Sequence, residues 1–179
     1  MSRKKKAFRI GRSRTGLGLF ATEPIAKRTF IVEYSGRLLN NEQAEAMEAK
    51  NSKYLYELNS RWTIDGSGRR NIGRYANHSC RPNSETDRRK GKVFIRALKN
   101  IKPGEEITYN YGRDYVSWFI KPYGCKCEKC IEQRRQERSA KLLATKRRKA
   151  RAARQAAESR KSRTQKSKSR KPKARKSKS

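Results

Sequence analysis

The sequence predicts a mainly β fold, built from short strands and few helices. Three observations support this class. Short runs rich in β-branched and aromatic residues recur through residues 8–112, glycines separate many of these runs, and a single stretch of the region favours a helix. The predicted strands are, in chain order, Thr29–Tyr34, Leu55–Leu58, Trp62–Asp65, Lys92–Ala97 and Ile107–Tyr109.

The other elements of this region follow from local signals. Residues 13–20 (SRTGLGLF) on their own indicate a glycine turn, and they lack the third glycine and the following helix of a dinucleotide fingerprint. Asn41–Lys50 predicts the helix, because alanine, glutamate and methionine favour helices and Asn40 or Asn41 is a suitable N-cap. Pro103-Gly104 predicts a turn before the last strand.

Beyond residue 112 the composition changes. A cysteine-containing segment is followed, from Ile131 to about Glu158, by residues that favour a helix, although repulsion between like charges keeps such a helix marginal. From Ser159 the chain is dominated by Lys, Arg and Ser and is predicted to be disordered. The predicted organisation is a basic arm at 1–7, a domain at 8–112, a cysteine segment at 113–130 and a basic tail, helical or disordered, at 131–179.

The charge of the chain points to a polyanionic partner. The net charge of the 179 residues is +33. Residues 131–179 hold 21 of the 49 Lys and Arg and 3 of the 16 acidic residues, a net +18, which leaves +15 for the rest of the chain. Such a tail is typical of nucleic-acid binding, and a solvated tail is the alternative. A membrane partner is disfavoured, because the tail has no aromatic residue and no apolar run is long enough to cross a bilayer.

Four cysteines, Cys80, Cys125, Cys127 and Cys130, provide the thiolates that a closed tetrahedral zinc site requires. Three of them form C-x-C-x-x-C, and the upstream Cys80 would tie this segment to the body of the domain. Two disulfides or four unpaired thiols are the alternatives. Disulfides are disfavoured because no apolar stretch of a secretory signal follows the basic N-terminus, so we expect an intracellular protein.

Two further segments concentrate polar and aromatic groups. Residues 71–83 (NIGRYANHSCRPN) contain His78, the chain's only histidine, which excludes a metal site with several histidines and argues against a hydrolytic triad. Residues 105–112 (EEITYNYG) carry Tyr109 and Tyr111, whose i, i+2 spacing places both side chains on one face of a strand. On its own, each pattern is more often structural than functional.

Together, and in this order, these segments resemble the SET-domain family of protein-lysine methyltransferases over roughly residues 8–130. Two positions depart from the family pattern: Asn110 stands where an Asp is common, and two residues rather than four separate the last two cysteines. The resemblance is carried by residues 16–20 for the glycine motif, Tyr34-Ser-Gly36 for Y-x-G, 77–83 for N-H-S-C-x-P-N, 108–111 for the closing tyrosine motif, and the cysteine cluster for a post-SET segment.

The resemblance implies a SET-domain fold of small β-sheets with a knot-like C-terminal closure, and the transfer of a methyl group from S-adenosylmethionine to a lysine nitrogen. One structural zinc ion on the four cysteines belongs to the same expectation. Tyr111, Tyr109 and Tyr34 are the implied catalytic residues, and a tyrosine at 109 is similar to members that add one or two methyl groups. The implied cofactor-binding residues are Arg14, Gly16, Leu17, Gly18, Tyr34, Asn77, His78 and Tyr111.

The expected substrate follows from the charge. A body of net +15 repels a free, highly basic peptide, so we expect the target lysine to lie on a DNA-associated protein, a histone or a bacterial nucleoid protein, while the tail holds the nucleic acid. The corresponding locations are the nucleus and chromatin, or the bacterial cytoplasm and nucleoid. The alternative function is that of a catalytically inactive, nucleic-acid-binding architectural protein, against which Tyr111, Asn77 and His78 argue.

Overall fold

The structure is a computed structural model that describes residues 6–168, with side chains described up to Lys161. Residues 1–5 of the predicted arm and 169–179 of the predicted tail lie outside the described residues. Short strands dominate the chain before residue 112, which confirms the predicted mainly β fold. The ten strands of the described residues are β1 Phe8–Ser13, β2 Gly16–Ala21, β3 Phe30–Tyr34, β4 Arg37–Leu39, β5 Leu55–Asn59, β6 Trp62–Asp65, β7 Asn77–His78, β8 Ser84–Arg89, β9 Lys92–Ala97 and β10 Thr108–Tyr109.

These strands form four small sheets. β3, β9 and β8 form one antiparallel sheet in that order, β4, β6 and β5 form a second, and β1 and β2 form a hairpin. β7 and β10 pair in parallel, with Asn77 opposite Thr108 and His78 opposite Tyr109. This pairing brings the N-H-S-C-x-P-N segment beside the closing tyrosine segment, although the two are far apart in the chain.

All five predicted strands are confirmed to within one residue at each end. The turn predicted for residues 13–20 is wrong for most of its length, because only Arg14 and Thr15 form the turn. From Gly16 onward the chain belongs to β2, whose residues pair in unbroken register with β1. The hydrogen bonds of the hairpin therefore outweigh the local preference of two glycines for a turn.

Strand β8 (SETDRR) has no hydrophobic alternation and was not predicted. It forms because it lies at the edge of its sheet, where one polar face is tolerated, and because Arg96 of β9 forms ion pairs with Glu85 (2.5 Å) and Asp87 (2.8 Å). The connecting residues Lys90 and Gly91 both have positive φ, 49° and 71°, as a two-residue hairpin turn requires.

Helix α1 spans Asn41–Ala49, one residue shorter than predicted. The Asn40 side chain accepts a hydrogen bond from the Gln43 backbone N–H (2.9 Å), and the Gln43 side chain accepts one from the Asn40 N–H (3.2 Å). This reciprocal capping box satisfies two N–H groups that the start of a helix would otherwise leave unpaired. Asn40 rather than Asn41 is therefore the N-cap.

Helical segments dominate the chain after β10. Helix α2 at Arg113–Tyr115 continues into a π-helical turn at Val116–Ile120 and a 3-10 turn at Lys121–Tyr123. The long helix α3 then spans Glu128–Lys168. The described chain divides into two compact units between Glu132 and Gln133, so the first unit contains all the strands and the second, as far as it is described, is a single helix.

The disorder predicted from Ser159 is wrong for residues 159–168, which continue α3. Composition suggested disorder because these residues cannot contribute to a core. However, no glycine or proline occurs between Gly124 and Pro172, so the sequence contains no helix breaker within this range. From Gln133 to Lys161 every side chain is exposed.

The core of the first unit consists of two hydrophobic clusters, and β9 contributes to both of them, with Val93 in the smaller cluster and Ile95 in the larger one. Tyr109 belongs to the larger cluster and Tyr34 to the smaller one, so two of the three predicted catalytic tyrosines are anchored in the core, and the third, Tyr111, packs against the larger cluster. Within the described range, no helix combines the length and apolar character that a membrane span requires. The larger cluster contains Leu19, Ala21, Ile25, Ala76, Ile95, Ala97, Ile101, Ile107 and Tyr109.

Replacing Gly36 by Ala is expected to lower the free energy of unfolding by about 2–3 kcal/mol, because a Cβ at this position would collide with the carbonyl oxygen of Asp65 in β6. The matched control is Gly68→Ala, where a Cβ meets no atom within 4 Å and which should change stability by less than about 0.5 kcal/mol. Urea unfolding of both variants measures the difference, and equal losses of stability would contradict the steric argument.

Candidate functional site

A cavity of about 950 Å³ lies in the first unit, where the glycine, N-H-S-C-x-P-N and closing tyrosine segments meet. Its volume is at the upper end of the roughly 300–1,000 Å³ that is usual for small-molecule pockets. Among the eight predicted cofactor-binding residues, Gly16 and Gly18 lie in β2 and do not line the cavity. The other six line it: Arg14, Leu17, Tyr34, Asn77, His78 and Tyr111.

The two glycines have local structural reasons for their lack of a side chain. Gly16, which follows the hairpin turn, has a φ of 116°, a conformation that favours glycine. Gly18 is buried, and a Cβ there would lie 2.5 Å from Oε1 of Glu106. Their predicted contact with a cofactor stays a prediction, and the structure places Leu17, between them, on the cavity.

Aromatic rings form one continuous wall of the cavity. The ring centroids of Tyr109 and Tyr111 are 4.7 Å apart, those of Tyr111 and Tyr115 are 4.9 Å apart, and those of Tyr115 and Phe119 are 4.8 Å apart. Tyr34 also lines the cavity and is only 4% exposed. Such a wall is rigid and largely apolar, but it carries several hydroxyl groups.

Hydrogen bonds fix three of these four hydroxyl groups and leave the fourth unpaired, since the Tyr115 hydroxyl donates to the carbonyl oxygen of Lys53 (3.0 Å). The Tyr111 hydroxyl donates to the carbonyl oxygen of Ala76 (2.9 Å), and the Tyr34 hydroxyl donates to that of Tyr54 (2.8 Å). The Tyr109 hydroxyl has no hydrogen-bond partner among the described residues, although Tyr109 is only 8% exposed. An unpaired hydroxyl on the wall of a cavity is available to a ligand.

Burial sets the protonation of the tyrosines. It raises the pKa of Tyr34, Tyr109 and Tyr111 well above the ordinary value of tyrosine, and that of Tyr115 to about 12. All four hydroxyl groups are therefore protonated at physiological pH. They act as neutral hydrogen-bonding groups and not as anionic bases.

Asn77 and His78 connect the cavity to its surroundings. The Asn77 side-chain amide donates to the carbonyl oxygen of Leu17 (2.9 Å) and to the Glu106 carboxylate (2.7 Å). Nδ1 of His78 accepts a hydrogen bond from the Tyr111 backbone N–H (3.3 Å), so Nε2 carries the proton of the neutral ring. Burial lowers the pKa of His78, which favours this neutral form.

The four cysteines come together at one edge of the cavity, which Cys125 and Cys127 line. All four Sγ atoms lie within 4.8 Å of one another, with Cys80 3.9 Å from Cys125 and 3.6 Å from Cys130. Zinc–sulfur bonds of about 2.3 Å in a tetrahedron place the sulfurs about 3.8 Å apart, so the cluster fits zinc. No disulfide bond joins any two of the four cysteines, which argues against the two-disulfide alternative.

The sequence did not identify Tyr115, Phe119 or Glu106 as parts of the site. Tyr115 and Phe119 are four residues apart in a helical segment, and this spacing is the signal that could have placed both rings on one face. Glu106 offers no such signal, because its partners Ser13 and Asn77 are distant in the chain.

Cations surround the cavity. Glu57 is the only carboxylate residue among those that line it. None of the cationic side chains that line it forms an ion pair with a described carboxylate; Lys92, which pairs with Glu33, and Arg96, which pairs with Glu85 and Asp87, do not line the cavity. The cationic residues that line the cavity are Arg14, Lys53, Arg69, Arg74, Arg88 and Lys126.

The fold and this cavity define the class of protein. The family model described as the SET domain matches residues 16–112, which are 97 of the 179 residues. The chain therefore belongs to the SET-domain family. The match spans the glycine motif, Tyr34, the N-H-S-C-x-P-N segment with Cys80, and the closing tyrosines, and it ends before the other three cysteines of the cluster.

The chain is similar to two proteins described as histone-lysine N-methyltransferases. It is 38% identical over 119 residues to ATXR7 of Arabidopsis thaliana and 39% identical over 119 residues to set-2 of Caenorhabditis elegans. Each match covers 60% of this chain but only 8% of the relative, so the chain spans a small part of these proteins.

Two solved structures show the same fold. One is a humanized mutant of the Chaetomium thermophilum Polycomb Repressive Complex 2 bound to an inhibitor, and the other is ctPRC2 in an autoinhibited conformation bound to S-adenosylmethionine. For both, the TM-score is 0.53 and the sequence identity is 30%, with 61% of this chain and 15% of the other chain covered.

Proposed function

We propose that the protein is an S-adenosylmethionine-dependent protein-lysine N-methyltransferase. The observation that carries this proposal is the single cavity on which Arg14, Leu17, Asn77, His78 and the buried tyrosines converge. Relatives described as histone-lysine N-methyltransferases and a structural neighbour bound to S-adenosylmethionine support it. When bound, S-adenosylmethionine supplies an electrophilic methyl group.

The aromatic wall provides the environment that the reaction needs. A lysine amine must be neutral to act as a nucleophile, and its ordinary pKa is about 10.4, so deprotonation near pH 7.4 costs about 4 kcal/mol. A dry, apolar wall disfavours the ammonium form, and the cations around the cavity disfavour it further, so both lower the pKa of the lysine. The cavity therefore promotes deprotonation without a dedicated base.

The hydroxyl groups orient the amine. Tyr111 is immobilised by its bond to Ala76, which leaves lone pairs of its oxygen for the reacting groups. The unpaired hydroxyl of Tyr109 is suited to bind the lysine nitrogen directly. Such a bond holds the amine at a fixed angle and restricts the rotation that further methylation needs, so we propose that one or two methyl groups are added.

A zinc ion on Cys80, Cys125, Cys127 and Cys130 is part of the proposal, because the sulfur positions fit a tetrahedral site. The ion would be structural, as four thiolates leave no open coordination position. It would join the segment after Gly124 to the N-H-S-C-x-P-N segment. Since Cys125 and Cys127 line the cavity, this link would hold one of its walls in place.

The proposed substrate is a lysine on a DNA-associated basic protein, a histone or a nucleoid protein, in the nucleus or the bacterial nucleoid. The six cations around the cavity would repel a free basic segment, and nucleic acid bound with the substrate offsets this repulsion. Between Glu137 and Glu158, α3 carries eight Lys and Arg and no acidic residue. This exposed part of the helix, about 30 Å long, is the proposed tether to nucleic acid.

The direct test incubates the protein with radiolabelled S-adenosylmethionine and a mixture of core histones, linker histone and bacterial nucleoid proteins, alone and with DNA. Label on a protein band supports the proposal and identifies the substrate class. The basic tail also suits a catalytically inactive architectural protein, and that function predicts DNA binding with no label in any mixture and no affinity for S-adenosylmethionine.

Removal of residues 133–179 is expected to weaken DNA binding and to flatten its salt dependence. Each phosphate contact contributes about −0.9 to the slope of the logarithm of the DNA association constant against the logarithm of the salt concentration, and the shortened protein would make fewer such contacts. Methylation of a short peptide should change little, since the cavity belongs to the first unit. Fluorescence anisotropy at several salt concentrations measures the slope. A full-length variant with the eight cations between Glu137 and Glu158 replaced by Ala is the matched control. Equal DNA affinity with and without the tail would refute the tether.

A further inference from the structure

The backbone of Glu106 is held against the glycine segment. The N–H of the next residue, Ile107, donates to the carbonyl oxygen of Leu19 (2.7 Å), and Glu106 itself forms an isolated β-bridge with Phe20. Tyr109 follows three residues later in β10. The backbone of Glu106 is therefore held in place two residues before the strand that carries a predicted catalytic tyrosine.

The half-buried carboxylate of Glu106 connects two segments that line the cavity. Its Oε1 accepts a hydrogen bond from Nδ2 of Asn77 (2.7 Å), and its Oε2 accepts one from the Ser13 hydroxyl (2.9 Å). Gly18 provides the space for this arrangement, because a Cβ at that position would lie 2.5 Å from Oε1. The glycine segment, the N-H-S-C-x-P-N segment and Glu106 thus form one hydrogen-bonded unit.

This network determines which way the Asn77 amide faces. Both N–H groups of Nδ2 are used, one by Glu106 and the other by the Leu17 carbonyl oxygen (2.9 Å). The reverse orientation would place Oδ1, which only accepts, against two other acceptors. Oδ1 forms no hydrogen bond with a described residue, and Asn77 lines the cavity. The side chain therefore offers an acceptor, and not a donor, to a ligand.

We propose that Glu106 is a positioning residue for the cofactor, which orients Asn77 so that Oδ1 accepts a hydrogen bond from an amino group of S-adenosylmethionine. The inference rests on the proposed function and extends it to a residue that does not line the cavity. Without the carboxylate, one N–H of Asn77 loses its acceptor and only the Leu17 carbonyl oxygen holds the amide, so Oδ1 is less firmly oriented toward the cofactor.

The test compares Glu106→Ala with the conservative variant Glu106→Gln, in the full-length protein, by isothermal titration calorimetry with S-adenosylmethionine. Glu106→Ala is expected to raise the dissociation constant by about tenfold or more. Glu106→Gln is expected to stay within about threefold of the wild type, because its Oε1 still accepts from Asn77 and its Nε2 donates to Ser13. In assays, KM for the cofactor should rise in Glu106→Ala while kcat at saturation changes little.

A purely structural role predicts a different result. In that case Glu106→Ala lowers the unfolding midpoint but binds the cofactor as tightly as the wild type at a temperature where both are folded, which overturns the inference. If Glu106→Ala does not fold, Glu106→Asp replaces it in the test, because it keeps the charge but withdraws the carboxylate by one methylene. An unchanged dissociation constant for S-adenosylmethionine in Glu106→Asp would also contradict the inference. A wild type that binds no S-adenosylmethionine overturns the proposed function as well, whereas equal affinity of wild type and variants overturns this inference alone.

Discussion

Tyr111→Phe is expected to lower the rate of methyl transfer by about 100-fold or more, in line with the loss of one positioned polar group at a reacting centre. Its hydroxyl is held in a fixed orientation by the hydrogen bond to the Ala76 carbonyl oxygen (2.9 Å). Because burial raises the pKa of Tyr111, the group removed is a neutral hydroxyl, and no negative charge is lost with it. Affinity for S-adenosylmethionine should stay within about threefold, since the ring remains.

Single-turnover kinetics at saturating cofactor measures this effect, with calorimetry to confirm that the cofactor binds. The matched control is Tyr123→Phe, since Tyr123 is 82% exposed and its hydroxyl bonds to no described residue. The Tyr111 substitution also leaves the Ala76 carbonyl without its partner, which costs about 1–3 kcal/mol of stability, so both variants are compared well below their unfolding midpoints. Single-turnover rates equal to those of the wild type would remove Tyr111 from the catalytic residues.

The parts of the fold that local chemistry determines were predictable. Asn40 could be named as a cap because its contact with Gln43 lies within one helical turn. Trp62–Asp65 and Lys92–Ala97 were predicted with their observed bounds, because β-branched and aromatic residues mark buried strands. Strand β8 was not predictable in this way, since its stability depends on ion pairs with the neighbouring strand.

In the candidate site, too, some features could be predicted from the local sequence and others depend on contacts between distant residues. The cysteines were identified from their spacing and the closing tyrosines from the family resemblance, and the structure brings the former into one cluster and the latter into one wall. The role inferred for Glu106 depends on two hydrogen bonds to distant parts of the chain and on the space left by Gly18. Such a role becomes visible only when the backbone has placed the partners next to each other.

Cys130→Ser is expected to lower the zinc affinity by more than about 100-fold, because it removes one of the four proposed ligands. Loss of a residue that only hydrogen-bonds to a metal ligand already lowers metal affinity by roughly 10–100-fold. The wild type should contain one zinc ion per chain by native mass spectrometry. We expect methyl transfer to fall with the metal content, since Cys125 and Cys127, two proposed ligands of the same ion, line the cavity. The unfolding midpoint should fall as well, because the ion contributes folding free energy.

Removing the metal and adding it back distinguishes the effect of losing the ion from the effect of changing the Cys130 side chain. A strong chelator should reproduce the effects of Cys130→Ser in the wild type, and added zinc should reverse them there but not in the variant. Thiol labelling distinguishes zinc-bound sulfurs from unpaired thiols. If the metal-free protein as isolated shows four reactive thiols and full activity, the cysteines act as unpaired side chains and the wall of the cavity is held by the protein alone. If labelling of the wild type begins only after chelation, the four sulfurs hold zinc. This is the result that their spacing predicts, since Sγ of Cys80 lies 3.6 Å from that of Cys130 and 3.9 Å from that of Cys125.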